Sequence, residues 1–144
     1  MTRSTLFAPT IDKTNQVLKE IEKAYGWPAA RRSQSYLALK AVLHALRDRL
    51  TVQEASDLAA QLPMLVRGIY YEGWDPIRVP VKMDREEFLE RIRREFTYEV
   101  EGGPELLVQR VVQAIRRFVT DGEWDDVRAG LPEDLRDLLG SSPR

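Results

Sequence analysis

The chain has 144 residues, 43% hydrophobic and 31% charged, the balance of a globular protein made of one domain or two very small ones. It has no cysteine and one histidine, which excludes a disulfide framework, thiolate zinc sites, thiol catalysis and a two-histidine metal site within one protomer. Its 22 basic and 23 acidic side chains leave a net charge of -1, so nothing draws it generally to nucleic acid or an anionic membrane.

In chain order, the stretch from Met1 to Phe7 carries one basic residue and lacks the apolar run of a signal peptide. No run of about 18 apolar residues follows anywhere. The expectation is a cytoplasmic protein without a membrane segment, frayed over its first several residues and over the tail from Gly140 to Arg144. Val17, Leu18, Ile21 and Tyr25 stand at helical spacing, with Asp12 as the expected N-cap. A second helix carries Leu39, Val42, Leu43, Leu46 and Leu50. A third starts at the capping box Thr51 to Glu54, where the hydroxyl accepts a bond from a free backbone N–H and the glutamate returns one. Leu62-Pro63 ends it and opens a short fourth, because proline cannot continue a helix but starts one well. Glu72 to Pro76 and the extended stretch from Ile77 to Val81 read as a linker, with Pro80 arguing against a strand.

After the linker the pattern returns. Asp84 is the expected cap of a helix carrying Phe88, Leu89, Ile92 and Phe96. Gly102-Gly103-Pro104 breaks the chain before a helix with Val108, Val111, Val112, Ile115 and Val119. Thr120 to Glu123 repeats the capping box, and Leu131-Pro132 leads into a short last helix whose Glu133 and Asp134 suit the positive end of its dipole.

Shifted by 69 positions, residues 39–67 fall on 108–136 with ten of 29 positions identical, where chance gives roughly two. Among the identities are Arg47/Arg116, Thr51/Thr120, Glu54/Glu123, Asp57/Asp126, Pro63/Pro132 and Arg67/Arg136. A second block matches at a shift of 71, Val17 to Ile21 and Tyr25 falling on Phe88 to Ile92 and Phe96. The expected fold class is therefore all-α: an internally duplicated helical bundle of two similar three-to-four-helix units with pseudo-two-fold packing. The units are residues 12–71 and 83–139, joined by a linker at 72–82 and sharing one core in one compact domain.

The phrases Ala-Val-Leu-His-Ala-Leu-Arg-Asp-Arg-Leu-Thr-Val-Gln-Glu-Ala (41–55), Ala-Gln-Leu-Pro (60–63) and Arg-Gly-Ile-Tyr-Tyr-Glu-Gly-Trp (67–74) resemble domain-of-unknown-function family 2267. The stretch Val127-Arg128-Ala129-Gly130-Leu131-Pro132 is similar to the end of that domain. The resemblance covers roughly residues 12 to 139. It implies a small helical bacterial protein with no assigned activity, substrate or cofactor, and it carries over no catalytic residue.

Each candidate for chemistry meets a plainer account. His44, with Asp48 four residues on, lacks a serine in a nucleophile elbow and reads as a packing or surface residue. Asp121, Glu123, Asp125 and Asp126 lack the spacing of a calcium loop and sit where a helix start favours acids. Arg91, Arg93 and Arg94 interleave with glutamates as on a solvated helix face. Arg31, Arg32 and Lys40 have fewer acids around them and form a possible anion patch. Tyr70, Tyr71 and Trp74 form the densest aromatic group, either a partner platform or the pins of the linker. Arg47, Asp57 and Arg67, with their copies Arg116, Asp126 and Arg136, are expected to be structural ion pairs in which each aspartate meets an arginine of the set.

The functional expectation is a non-enzymatic module acting by protein–protein contact or self-association, with no cofactor and no metal. A small-molecule or enzyme site between the two units is the alternative, betrayed by a deep pocket between them that gathers Arg47 or Arg116 with carboxylates and removed by a dry, filled interface. Weak nucleic-acid binding through Arg31 and Arg32 ranks last. The net charge hides a split, since residues 1–72 hold 10 basic and 7 acidic side chains and residues 73–144 hold 12 and 16. Complementary halves favour contact with each other or head-to-tail association.

Overall fold

Helices account for every apolar pattern in the sequence, and no strand occurs among the described residues, 5–140 of a computed structural model. Of the ends expected to fray, residues 1–4 and 141–144 lie outside them. In chain order the helices are α1 (Ala8–Tyr25), α2 (Arg32–Arg49), α3 (Val52–Gln61), α4 (Met64–Tyr71), α5 (Arg85–Glu95), α6 (Gly103–Ile115), α7 (Asp121–Ala129) and α8 (Glu133–Arg136). Short 3-10 turns at Ala29–Arg31, Arg116–Phe118 and Asp137–Leu139 complete the path.

The expected cap at Asp12 is wrong. α1 begins at Ala8 with Pro9 in its first turn, where a missing N–H leaves nothing unpaired, so Asp12 lies inside the helix. At the other end Gly26 takes φ 72, and Trp27 N–H closes back on Glu22 C=O at 2.9 Å, which satisfies the last carbonyls of α1. Asp84 caps α5 as expected, accepting from Glu87 N–H at 2.8 Å while Glu87 accepts from Asp84 N–H at 3.1 Å. Thr51 and Glu54 form the same reciprocal box on α3.

The second threonine box is only half made. Thr120 Oγ1 accepts from Glu123 N–H at 3.1 Å, but the backbone N–H of Thr120 donates instead to Gln61 Oε1 at 2.9 Å, across from the end of α3. The residue 69 positions after Gln61 is Gly130, which has no side chain to return the favour to Thr51. Glu54 fills that space: a Cβ at residue 130 would stand 2.2 Å from its Oε2. The two boxes differ because one side chain is missing.

α2 runs through the centre, with every residue from Ala41 to Asp48 buried. Around it α1 packs against α2, α6 and α4, α5 packs against α2 and α6, and α3 meets α7. One continuous apolar cluster results, including Ile21, Leu43, Leu46 and Tyr70 before the linker and Leu89, Ile92, Val111 and Trp124 after it. Each such side chain contributes about 1.5–3 kcal/mol through burial.

Candidate functional site

Between Leu37 and Asp48, α2 is apolar except for one face. Lys40, His44, Arg47 and Asp48 follow one another at intervals of four, three and one, which aligns them along the helix. The last three are buried. Lys40 Nζ pairs with Glu72 at 2.8 Å. His44 Nε2–H donates to Ile69 C=O at 2.8 Å, and its Nδ1 faces Glu95 Oε1 at 3.0 Å, so both ring nitrogens are engaged.

Arg47 is the centre of this stripe, with only 4% of its surface exposed. Its Nε donates to Asp48 Oδ1 at 2.9 Å, and its Nη1 donates to Tyr70 C=O at 2.7 Å and Glu72 C=O at 2.6 Å. The guanidinium therefore sits at the C-terminus of α4, where carbonyls lack internal partners and a cation is favourable. Arg91 of α5 bonds the other oxygen of Asp48, and Val81 N–H donates to Asp48 C=O at 2.7 Å. The stripe thus ties α4, the linker and α5 to the middle of the bundle. A cavity of about 440 Å³ opens beside it, lined by residues that include Arg47, Asp48, Arg78 and Arg91.

The aromatic group does not form a surface. Tyr70 is fully buried and its hydroxyl donates to Ala55 C=O at 2.9 Å. Burial pushes that hydroxyl well above its ordinary pKa. Tyr71 meets it edge-on at 5.3 Å, and Trp74 lies 5.1 Å beyond, both half-buried against the core. Neighbours in sequence point to different sides of a helix, and Val66 sets the inward side that Tyr70 shares one turn later. The three rings pin α4 and the linker.

The aspartate pairing also fails. Arg67 Nε and Nη2 donate to Ala59 C=O and Leu62 C=O, both at 2.8 Å. Arg136 repeats this on α7, its Nε reaching Leu131 C=O at 2.9 Å and Arg128 C=O at 3.0 Å. Arg116 pairs with Asp121 at 3.2 Å and lies over the Trp124 ring at 5.1 Å. Asp57 accepts from Gln53 at 2.8 Å, and both it and Asp126 are exposed. A guanidinium that satisfies two orphaned helix-end carbonyls gains more than one in an exposed ion pair. Arg47, Arg67 and Arg136 thus donate to backbone carbonyls, Arg47 also meets its neighbour Asp48, and Arg116 meets Asp121.

Arg31, Arg32 and Lys40 do not converge into an anion patch. Arg32 forms a two-point contact with Glu22 at 3.0 and 3.1 Å, and Lys40 is held by Glu72, while Arg31 stays exposed on its turn. The Arg32 hydrogen bonds hold the buried Glu22 carboxyl below its ordinary pKa, with Ser35 adding to them and burial opposing. A depressed acid stabilises the fold above its unfolded pKa, and that contribution is lost as pH falls through the lower folded value. Urea midpoints measured across this acid window are expected to fall more steeply for wild type than for Glu22→Gln. Parallel profiles would show that the contact contributes nothing.

A second feature went unread in the sequence. Phe7 and Ile11 lie on the stripe that continues through Thr14 and Leu18 of α1, but they run past the part of the bundle that covers it and remain about half exposed. Met64 and Leu65 of α4 are exposed next to them, joined by Leu65 N–H donating to Thr10 Oγ1 at 2.9 Å. A shallow groove of about 400 Å³ lies between the two helices, lined by Phe7, Thr10, Ile11, Met64, Leu65 and Gly68. The helical phase of α4 held the signal: with Val66 and Tyr70 inward, Met64, Leu65 and Gly68 must face out.

No three metal-binding side chains gather among the described residues, and no helix there is long and apolar enough to cross a membrane. No curated protein matches the chain. Its match is to the uncharacterised conserved proteins DUF2267 over residues 14–138, a stretch holding the α2 stripe, the linker and both halves of the core. The chain belongs to that family.

Proposed function

We propose that the protein is a non-enzymatic interaction module that pairs with a second copy of itself through the strip formed by α1 and α4. The observation that carries this is the contiguous exposed apolar surface of Leu6, Phe7, Ile11, Met64 and Leu65. Scattered single apolar residues are ordinary on a protein surface, but a joined strip across two helices marks a contact site. A second copy fits because the strip holds both shapes needed for self-complementary docking. Leu6, 76% exposed, lies outside the groove's lining as the side chain to insert, and the groove has an open floor, since a Cβ at Gly68 would have no heavy atom within 4 Å. A two-fold axis places each copy's Leu6 in the other's groove. The adjoining exposed pair Asp12 and Lys13 carries both signs, so no block of like charge opposes the contact.

Light scattering of the full chain across a concentration series tests this. Wild type is expected to approach the dimer mass. The double variant Met64→Asp/Leu65→Asp is expected to stay monomeric with an unchanged thermal midpoint, a loss of about 30-fold or more in affinity for centrally placed apolar anchors. A wild-type chain that remains monomeric throughout sinks the proposal.

A further inference from the structure

The cavity beside Arg47 rests on residues the self-association strip does not use. We infer that it is a binding site for a small oxyanion, a phosphate monoester or carboxylate whose paired oxygens match a guanidinium fork. Three arginines from three separate elements line it: Arg47 on α2, Arg78 on the linker and Arg91 on α5. Asp48 and Asp75 are the only acids in the lining, which leaves one positive charge in excess.

The arginines are not equally committed. Arg47 spends Nε and Nη1 on Asp48, Tyr70 C=O and Glu72 C=O, three of its five donors. Its remaining nitrogen, Nη2, lies 4.0 Å from where a Cβ on residue 73 would be, so glycine keeps that side of the guanidinium clear. Gly73 also takes φ 77, a conformation that disfavours any replacement with a side chain. Arg91 reaches Asp48 through its Nη2 alone. Arg78 is 82% exposed and meets Asp75 only at 3.5 Å, free to turn inward when an anion arrives.

Preorganisation favours binding here. Arg47 is buried and already fixed by its other bonds, so an anion need not order it, and a donor in such surroundings bonds more strongly than one in water. The cavity, at about 440 Å³, lies within the range of small-ligand sites. Its walls come from both halves and the linker, so a bound anion would bridge all three.

The test is a titration of the full chain with inorganic phosphate, followed by backbone amide NMR shifts at constant ionic strength. Parallel titrations use acetate and chloride. Saturable shifts confined to the neighbourhood of Gly73, Arg78 and Arg91 are expected with phosphate, acetate or both, and the stronger of the two assigns the tetrahedral or the planar anion. Arg91→Gln and Arg78→Gln are each expected to weaken binding about tenfold. Arg78→Gln touches no core contact, so it remains informative if Arg91→Gln loosens the fold. A linear response, an equal response to chloride, or unchanged binding by Arg78→Gln overturns the inference.

Discussion

Arg47→Ala is expected to cost about 3–5 kcal/mol of folding stability, the largest loss from any polar substitution in this chain. The side chain joins Asp48 to two backbone carbonyls, buried but for the edge it shows to the cavity. Truncation leaves Tyr70 C=O and Glu72 C=O without that donor and Asp48 with one cation fewer, and an unpaired buried group loses hydration without compensation. Urea unfolding measures this as a drop in midpoint at unchanged slope. Adding Asp48→Ala separates the causes: the double variant is expected to lose less than the two single losses combined, because part of each single loss is a stranded partner. Arg116, the matching residue 69 positions later, is the internal control. Its partner Asp121 is exposed and its other contact is the Trp124 ring face, so Arg116→Ala is expected to cost about 1–2 kcal/mol. A similar cost at both positions would mean that burial around Arg47 has no energetic weight.

Tyr70→Ala is expected to cost about 3–5 kcal/mol, as an aromatic side chain removed from a filled core. A residue on a partner surface would instead lose binding and keep its melting point, so stability distinguishes the two roles. Tyr70→Phe isolates the hydroxyl. It keeps the ring but leaves Ala55 C=O without that bond, at a cost of about 1 kcal/mol. Tyr25→Phe is the contrast, because the Tyr25 hydroxyl is buried with no partner in the structure and burial pushes its pKa up to about 12. Removing a hydroxyl that gains nothing is expected to be neutral or slightly stabilising. Equal losses from both Phe substitutions would show that the ring environments, rather than the hydrogen bond, set the cost.

The helices were readable because their signals are local. A threonine followed by glutamate three residues on, or a proline after a leucine, states a boundary without reference to anything distant. Asp84 and Thr51 therefore behave as expected. Asp12 does not, because Pro9 offers an earlier start and nothing in the local pattern ranks the two. The partners of polar residues depend on what the fold brings together. Arg67 and Arg136 were recognisable as structural from their spacing, yet the carbonyls they reach become orphans only once α3 and α7 end beside them. Tyr70 stood between two readings for a related reason. Its neighbours Tyr71 and Trp74 drew the eye to an aromatic cluster, while the inward phase set by Val66 was the better guide.

The packing also bears on how the chain reaches this state. α1 is covered by its neighbour α2 and by the distant α6, while α5 rests on the distant α2 and less on its neighbour α6, so local and long-range contacts share the core. Residues far apart in sequence must meet before most apolar surface is sheltered, and closing so long a loop is entropically costly. The local α1–α2 pair is thus expected to form first, with α5 and α6 docking on it afterwards. Amide exchange should then report the middle of α2 opening only when the whole molecule does, while the outer turns of α1 and α8 exchange on their own.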